Sequence, residues 1–176
     1  EKLKNSLVVK DGKMTQCFSE EKRIEIPEGM AKIIGPAFKQ NRKIQSISLP
    51  EGIEVIEKGA FRDCTSLEEI KMPKSLIKID DGAFAYCTSL KRITIPDSVQ
   101  IIGKNVFQGC GSLEQVTLGS GIKEIPEGFF SGLENLTEVT VASDLLRIGR
   151  EAFARCPKLR RLNMAGGDDG GDGKGF

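Results

Sequence analysis

Apolar residues recur along this chain at a fixed interval of 23 residues. Phenylalanine marks the interval most clearly, and an isoleucine stands five residues before each of these phenylalanines. Three further apolar columns follow each phenylalanine at the sixth, ninth and eleventh positions. The phenylalanines are Phe38, Phe61, Phe84, Phe107, Phe130 and Phe153. Because the interval holds through six units without an insertion, it predicts a repeat protein rather than one irregular core.

Within each unit the hydrophobic pattern changes its period. Ile93 and Ile95 alternate with polar residues, which is typical of a half-buried β-strand. Pro96 follows at once and ends the strand, because proline has no N–H to donate to a neighbouring strand. Between residues 84 and 90 an apolar residue comes at every third position, which favours a single helical or 3₁₀ turn. Each unit is therefore predicted to contain one strand, a bend and one short turn.

One unit cannot bury its own apolar side, whereas stacked units can. The expected arrangement places parallel strands along one face of a coil, with the isoleucine, leucine and phenylalanine columns inside it. Ile24 and Ile26 lie one interval before Ile47 and Leu49 and predict one more strand at the start. We therefore predict an α/β repeat solenoid, a right-handed coil with a parallel β-sheet on its concave face.

The consensus pattern of the unit is similar to that of a known family. From Ile24 to Met164 the units follow I-P-x-G/S-V/I/L-x-x-I-x-x-x-A-F-x-x-C-x-x-L, which resembles the BspA-like leucine-rich repeats, also termed the Treponema pallidum type. Asn41 and Leu133 depart from this pattern where four units have cysteine. The resemblance implies a leucine-rich-repeat coil on a protein that is extracellular or attached to the cell surface. It also implies a role like that of the family's adhesins.

The resemblance further implies a capping hairpin before the first repeat. Residues 7–14 look like the N-terminal hairpin of that family, with Asp11 and Gly12 as the turn. Such a hairpin would cover the open end of the first coil. The expected organisation has three parts: a capping hairpin at 1–23, a leucine-rich repeat domain at 24–164 and a flexible tail at 165–176.

The tail is distinguished by its glycine and aspartate content. A calcium site is one interpretation, because Gly-Asp runs resemble part of a calcium-binding repeat of parallel β-helices. The single imperfect copy lacks an apolar anchor, and this favours a flexible end instead. The last strand, at residues 162–164, would present an exposed edge unless the tail or a further coil covers it.

Composition and charge exclude several classes of function. The chain has 26 Lys and Arg against 25 Asp and Glu, so it offers no basic excess for nucleic acid. No apolar run is long enough for membrane insertion. Histidine is absent, which removes the commonest general base and metal ligand. The carboxylate pairs Glu68–Glu69 and Asp80–Asp81 have no nucleophile beside them. We expect neither catalysis nor a cofactor.

Four of the five cysteines share one column, three residues after the phenylalanine. A metal string or a redox relay is one interpretation of such a column. Leu133 fills the same position in another unit, and this favours buried thiols that donate weakly to backbone carbonyls. No C-x-x-C motif supports metal binding. Cys17 lies outside the column and is predicted to be the more exposed and reactive thiol. The column contains Cys64, Cys87, Cys110 and Cys156.

The polar positions between the apolar columns are predicted to form the outer face of the sheet. These residues could simply keep the surface soluble and form cross-strand pairs such as Glu69 with Arg92. Their sign changes from unit to unit, and mixed charge favours a protein or glycoprotein partner over nucleic acid. The candidate partner-binding residues are Glu68, Glu69, Lys71, Lys91, Arg92, Thr94, Glu114, Gln115, Thr117, Glu138, Thr140, Arg160, Arg161 and Asn163.

The sequence and the resemblance lead to one main functional hypothesis. We expect a non-enzymatic, adhesin-like protein-binding module, secreted or at the cell surface, that engages its partner through the concave face. The alternative is a structural spacer or assembly segment of a larger protein, which associates with itself through its terminal coils. A metal-dependent hydrolase is disfavoured by the absence of histidine.

Overall fold

The computed structural model describes residues 2–165 and shows a β-solenoid. The predicted Gly- and Asp-rich tail beyond Ala165 lies outside the described residues, as does its possible calcium site. The chain begins with a short helix α1 (Lys2–Ser6) and an antiparallel hairpin of β1 (Leu7–Lys10) and β2 (Lys13–Cys17). The hairpin occupies the region that was predicted to form the cap.

Seven parallel strands form one side of the solenoid, and we term their outward-facing surface the front face. Their side chains alternate between the interior and this surface, as the period-two pattern predicts. The front strands are β3 (Arg23–Glu25), β5 (Ser46–Ser48), β7 (Glu69–Lys71), β9 (Arg92–Ile95), β11 (Gln115–Leu118), β13 (Glu138–Ala142) and β15 (Arg161–Ala165). They form two sheets, in the orders β3-β5-β7 and β9-β11-β13-β15.

A second series of parallel strands, each two residues long, forms another side of the coil. The hairpin joins this series, because β2 pairs in parallel with the first of its strands and buries Met14 completely. The series contains β4 (Ile33–Ile34), β6 (Val55–Ile56), β8 (Lys78–Ile79), β10 (Ile101–Ile102), β12 (Glu124–Ile125) and β14 (Arg147–Ile148). Pairing runs without a break from β1 to β10, and β12 and β14 form a separate pair.

Regular helix is scarcer than an α/β solenoid implies. Within residues 2–165 it is limited to α1 and a 3₁₀ helix at Pro36–Phe38. The short turns predicted after each phenylalanine are present as single hydrogen-bonded turns, in which Cys87 N–H donates to the Phe84 carbonyl and Leu90 N–H to Cys87. These i→i+3 bonds close one turn each, and the chain then becomes extended again. The α/β label is therefore corrected to a β-solenoid with few helices.

The phenylalanine column forms a stack through the core. Neighbouring rings lie nearly parallel, and their centroids are 5.3 Å apart between Phe61 and Phe84 and 6.4 Å apart between Phe107 and Phe130. All but the last ring, Phe153, are fully buried. This stack lies within one continuous apolar core that extends from the hairpin to the last coil.

The first unit departs from the predicted columns by one residue. Ile33 was expected to fill the isoleucine column, but Ile34 is the buried residue and pairs with Ile56, while Ile33 is half-buried. Phe38 nevertheless keeps its place in the stack. The connection between Ile34 and Phe38 is therefore one residue shorter than in the next unit, and the 3₁₀ helix at Pro36–Phe38 lies in it.

A wedge separates β10 from β12. Phe129 stands where most units have alanine, and its ring packs edge-on against Phe107 and Phe130, with centroids 5.7 and 4.8 Å away. Pro126 stands where Gly149, one coil later, donates its N–H to the preceding coil. Proline has no such donor, so the larger ring and the missing donor together interrupt the pairing at this junction.

Candidate binding surface

The front face exposes its polar residues because each strand buries alternate positions. In β9, Ile93 and Ile95 are buried, while Arg92 and Thr94 are exposed. The buried pair belongs to the apolar columns that neighbouring coils cover, so the intervening polar residues must face solvent. The same rule acts in every front strand of the described coils before the last, and it produces a surface held in place by the core beneath it.

All fourteen predicted binding residues are exposed or half-buried; ten lie in the front strands, and Glu68, Lys91, Glu114 and Arg160 each immediately precede one. Parallel pairing without a shift aligns them, since Gln115 lies beside Arg92 on one side and Glu138 on the other. Equivalent positions of the repeat define three rows: Glu68, Lys91, Glu114 and Arg160; then Glu69, Arg92, Gln115, Glu138 and Arg161; then Lys71, Thr94, Thr117, Thr140 and Asn163. Strand pairing aligns the second and third rows from β9 to β15.

The charges in these rows do not neutralise one another. The predicted cross-strand pair of Glu69 with Arg92 is absent, and the seven ion pairs found within residues 2–165 all lie outside the rows. One polar side-chain cluster lies in the rows, in which the Asn163 amide donates to the carboxylate of Glu138 and to Thr140 Oγ1. Most charged groups of the front face therefore remain available to a partner.

The Glu69–Arg92 pair fails because the sheet is divided between their strands. Across the described part of the chain, no backbone hydrogen bond joins β7 to β9. At the preceding junction the N–H groups of Glu68 and Glu69 both donate to the Gln45 carbonyl. At the following junction Glu114 and Gln115 donate in the same way to Lys91. The division is thus confined to one junction of an otherwise regular front face.

The loss of hydrogen bonds continues into the turn after these strands. One coil earlier, the Ser75 hydroxyl donates to the Ile53 carbonyl over 2.7 Å and accepts from Gly52 N–H over 2.9 Å. Ser98 is the equivalent residue beyond the division, and its buried hydroxyl has no hydrogen-bond partner within residues 2–165. A buried hydroxyl without a partner costs about 1–3 kcal/mol. The two coils are therefore separated along the strands and along the following turn.

A cleft of about 970 Å³ opens at this division. We term it the central cleft; it is lined by residues 69–72, Lys74, residues 92–98 and Thr117. Its volume lies near the upper end of the ~300–1,000 Å³ range of small-molecule ligand pockets. The rows predicted from the sequence supply Glu69, Lys71 and Arg92 to its walls.

Several lining residues were not among the sequence predictions. Lys74, Asp97 and Ser98 belong to the turns after the strands, which the pattern assigns to the edge of the coil. Ile70 and Met72 were predicted as core and also line the cleft. The consensus pattern of the repeat continues across the division, so the periodicity contains no signal for a cleft at this position.

The lining of the central cleft carries charges of both signs. Glu69 and Arg92 begin β7 and β9, and Lys74 and Asp97 lie at equivalent positions in the turns that follow these strands. The Asp97 carboxylate already accepts a hydrogen bond from Ser120 N–H over 2.8 Å. With Lys71 the lining carries three cations and two carboxylates, and it also includes the apolar Ile70 and Met72. Such a site can recognise a ligand by charge and apolar contact.

The cysteine column is part of the core and not of a reactive site. Cys64 Sγ donates to the Phe38 carbonyl over 3.0 Å, and the other three column cysteines make the equivalent contact. Burial raises the pKa of Cys64 and of Cys110 to about 12, so both thiols stay protonated at neutral pH. Buried hydrophobes with weak S–H donors are therefore the correct interpretation.

Cys17 is half-buried and therefore more exposed than the buried Cys64, Cys87 and Cys110, as predicted, but burial raises its pKa as well. A raised pKa lowers the thiolate fraction on which reactivity depends.

No group of three or more Cys, Asp or Glu side chains is placed to hold a metal ion within residues 2–165. Neither helix of the same segment is long and apolar enough to cross a membrane.

Comparison with known proteins identifies the repeat. A family model described as the BspA type leucine-rich repeat region matches this chain in six copies, over residues 14–110 and 56–167. No curated protein sequence matches the chain.

Several solved structures have a similar fold. A leucine-rich repeat protein of T. pallidum is 26% identical, with a TM-score of 0.65 over 84% of this chain and 82% of that one. The pneumococcal vaccine antigen PcpA is 29% identical, with a TM-score of 0.69 over 76% of this chain and 35% of that one. A leucine-rich repeat protein from Bacteroides capillosus is 29% identical, with a TM-score of 0.56 over 64% and 98% of the two chains. The chain thus spans most of the T. pallidum protein and about a third of PcpA.

Proposed function

The chain belongs to the BspA-type leucine-rich repeat family, and we propose that it is a non-enzymatic protein-binding module of adhesin-like character. In this proposal it works outside the cell or at the cell surface, and its front face is the concave face on which a protein or glycoprotein docks. The module is built from 23-residue units and closed at its N-terminal end by the β1–β2 hairpin.

One observation carries the proposal: the front face presents rows of charged side chains that form no ion pair within residues 2–165, on strands whose alternate residues are anchored in the core. Charges fixed in position and not neutralised can select a partner by electrostatic complementarity. Solenoids generally bind through such extended surfaces. The mixed signs of Glu69, Arg92, Glu138 and Arg161 fit a protein surface better than a uniformly charged polymer.

Three further points support the location and the lack of catalysis. The chain contains no histidine. The described cysteines are held protonated by burial, and a thiol in that state is a poor nucleophile. A similar solved structure is that of a pneumococcal vaccine antigen, which is consistent with a protein that is accessible from outside the cell.

The proposal can be tested by biolayer interferometry against matrix and cell-surface glycoproteins, with the chain itself as one analyte. The test variant combines Glu69→Lys, Arg92→Glu and Arg161→Glu. The matched control combines Glu28→Lys, Lys39→Glu and Lys104→Glu, which are exposed residues outside the rows and give the same change in net charge. We expect the test variant to lose binding and the control to retain it, with unchanged circular dichroism in both. Equal binding by all three proteins would disprove a role for the front face.

Self-association is a second candidate function, supported by the last coil. Leu146, Ile148, Leu162 and Met164 are exposed there, and β15 has a neighbouring strand on one side only within residues 2–165. Such an edge can pair with a second chain. Light scattering at increasing protein concentration would test this candidate. A rise in mass that Met164→Lys abolishes would favour assembly, whereas a constant monomer mass would remove it.

A further inference from the structure

We propose that the last coil binds an acidic segment of a partner protein, which adds in extended form to the free edge of β15. The last coil comprises residues 144–165, and we term the side that faces away from the preceding coil the end surface. This inference goes beyond the front-face proposal, because it concerns a second surface at the end of the stack. The two proposals can therefore fail independently.

The backbone of β15 provides the first argument. Arg161 N–H donates to the Thr137 carbonyl, so Arg161 and every second residue after it bond to the preceding coil. Leu162 and Met164 lie between them and direct their N–H and C=O groups to the other edge, which has no partner strand within residues 2–165. An extended chain can pair with such an edge. Because β15 is the outermost strand of its sheet in that range, a strand can approach it without separating two coils.

The turn of the last coil also has unused hydrogen-bond donors. In the preceding coil, the N–H groups of Gly128, Phe130 and Gly132 donate to carbonyls of the last coil. The equivalent N–H groups one coil later have no acceptor within residues 2–165, and they belong to Glu151, Phe153 and Arg155. Carboxylate oxygens can accept such N–H groups, in hydrogen bonds that are stronger than neutral ones. A partner that covers the whole end surface is therefore favoured if its side chains are acidic.

The exposed apolar residues of β15 require apolar side chains on the partner. Val139 and Val141 in β13 are fully buried, whereas Leu162 and Met164 at the same positions in β15 are 43% and 55% exposed. An added strand with apolar residues at alternate positions would cover them as one coil covers the next. This burial would stabilise the complex beyond what charge provides.

The charge of the last coil favours an acidic partner. Six exposed cations stand against two carboxylates, Asp144 and Glu151, which gives a net charge of +4. The preceding coil, residues 121–143, has four glutamates against Lys123. It lies one strand spacing of ~4.8 Å further from the partner, and Coulomb attraction falls with distance. The six cations are Arg147, Arg150, Arg155, Lys158, Arg160 and Arg161.

The same charge distinguishes a different protein from a second copy. End-to-end contact between two such coils would bring two surfaces of net charge +4 together, and like charges oppose association. The junction between the last two coils shows the favourable alternative. Arg147 Nε lies 3.6 Å from Glu124 Oε1, and Arg150 Nη2 lies 3.2 Å from Glu127 Oε1. Guanidinium groups carry five N–H donors, so a partner's carboxylates can meet the same arginines from the open side.

The direct experiment measures fluorescence anisotropy with three blocked, labelled octapeptides, in which valine alternates with glutamate, lysine or serine. We expect the glutamate peptide to bind the wild-type chain roughly tenfold or more tightly than the other two, because its charge complements that of the last coil. Equal affinity for the three peptides, or no binding of the glutamate peptide, would overturn the inference.

Two matched variants locate the site. Arg160→Glu with Arg161→Glu reverses two cations of the last coil, and Lys39→Glu with Lys104→Glu makes the same change in net charge elsewhere; all four residues are exposed. We expect roughly tenfold or greater loss of glutamate-peptide binding in the first variant and little change in the second. Equal loss in both would mean that the peptide responds to net charge alone, and the inference would fail.

A proline variant tests the backbone pairing. Met164→Pro removes the N–H that faces the free edge and leaves the bonds of its neighbours to β13 in place, whereas Met164→Ala removes only the side chain. We expect the proline variant to bind the glutamate peptide roughly threefold or more weakly than the alanine variant, with unchanged circular dichroism in both. Equal binding would show that the free edge is not used and would exclude strand addition.

Hydrogen exchange gives a readout that does not depend on a variant. In the wild-type chain the glutamate peptide should slow amide exchange at Leu162 and Met164 and leave β11 unchanged. Absence of slowing at these two amides would overturn the inference even if the proline variant does not fold.

Other occupants of the end surface are outcomes of the same measurements. A dimer in light scattering from which the glutamate peptide is excluded would make a second copy the occupant and overturn the inference. Binding of the peptide only after removal of residues 166–176 would make that segment the occupant, with the same consequence.

Glu69→Lys with Arg92→Glu separates this inference from the front-face proposal, because it alters the front face without changing the last coil or the net charge. We expect this variant to bind the glutamate peptide as the wild-type chain does. Loss of peptide binding would place the peptide on the front face and overturn the inference. If peptide binding is normal but no glycoprotein of the interferometry panel binds the wild-type chain, the inference stands and the front-face proposal fails.

Discussion

The two ends of the solenoid carry the same apolar columns but bury them to different extents. Ile24 and Ile26 in the first front strand are 2% and 5% exposed. Leu162 and Met164 occupy the same columns in the last front strand and are 43% and 55% exposed. At the first end the hairpin and α1 pack against the coil, and Leu7 and Met14 join the core. The described residues contain no equivalent cover at the other end.

This difference shows that a column residue contributes to stability only through its neighbours. In a stacked repeat each unit contacts the units before and after it, so stability is approximately a sum of nearest-neighbour interfaces. A terminal unit has one such interface unless a cap supplies the second. The four predictions below use this difference between the ends and are ordered from the largest expected effect to the smallest.

Removal of a phenylalanine ring should have very different consequences inside the stack and at its open end. Phe84 is fully buried between two rings, whereas Phe153 is half-buried and stacks on Phe130 alone. Phe84→Ala should lower the free energy of unfolding by about 3–5 kcal/mol, and Phe153→Ala by less than about half of that. Urea denaturation followed by circular dichroism measures both. Equal losses would mean that the last coil is covered in solution.

Methionine offers the same test with one residue type at both ends. Met14 in the hairpin is completely buried, and Met164 in the last strand is mostly exposed. Met14→Ala should lower the free energy of unfolding by about 2–5 kcal/mol, because it leaves a cavity beside the β1–β2 hairpin. Met164→Ala should change it by less than about 0.5 kcal/mol. A small effect of Met14→Ala would show that the hairpin does not stabilise the first coil.

Alkaline pH should destabilise the folded chain more through its interior thiols than through the thiol of the last unit. Burial raises the folded-state pKa of Cys64 and Cys110 from 9.0 to about 12. Above pH 9 the unfolded chain loses these protons first, so stability is complete below pH 9 and falls as pH rises towards 12. Each thiol should lower the free energy of unfolding by about 1.4 kcal/mol at pH 10.

Serine variants measure this contribution. Cys64→Ser with Cys110→Ser keeps a hydroxyl donor for the same carbonyls but removes the titration, so the fall in stability between pH 8 and pH 10 should become smaller. Cys156→Ser in the half-buried last unit should alter that fall less, because more of this thiol is solvated. Denaturation curves at the two pH values for the three proteins provide the comparison. An unchanged fall in the double variant would contradict the prediction.

The smallest effect on the free energy of unfolding is expected for a substitution in the last coil. Leu146 is 81% exposed, so Leu146→Lys should change the free energy of unfolding by no more than about 0.5 kcal/mol. If the chain associates through its last coil, the same substitution should lower the mass observed by light scattering at high concentration. A large loss of stability would show that Leu146 is covered in solution.

Much of the fold follows from particular residues in the sequence. The recurrence of phenylalanine from Phe38 to Phe153 predicts the ring stack, and the Ile93–Ile95 alternation predicts the strand that the structure contains. The leucine at position 133 correctly indicates a buried cysteine column. The prediction for Ile33 is wrong, because the first unit contains a shorter connection that a strict period does not describe.

The candidate site was predictable only in part. The sequence places Glu69, Lys71 and Arg92 on the outer face, because strand alternation depends on adjacent residues alone. It does not reveal that Glu69 and Arg92 remain unpaired or that Met72 and Lys74 join them around a cleft. Those facts depend on the separation of the coils that contain β7 and β9, and the consensus sequence of the repeat is nearly the same in both coils.

The sequence by itself determined the repeat, the front strands, most inward and outward positions and the membership of the BspA-type family, but not the second series of short strands. These features depend on spacing along the chain, which periodicity records directly. Only the tertiary structure decided where the front sheet divides, which charges stay unpaired and how far each end of the core is exposed. Those properties arise between coils, where backbone hydrogen bonds and side-chain packing across the stack must be satisfied together, and no single unit contains both partners of such a contact.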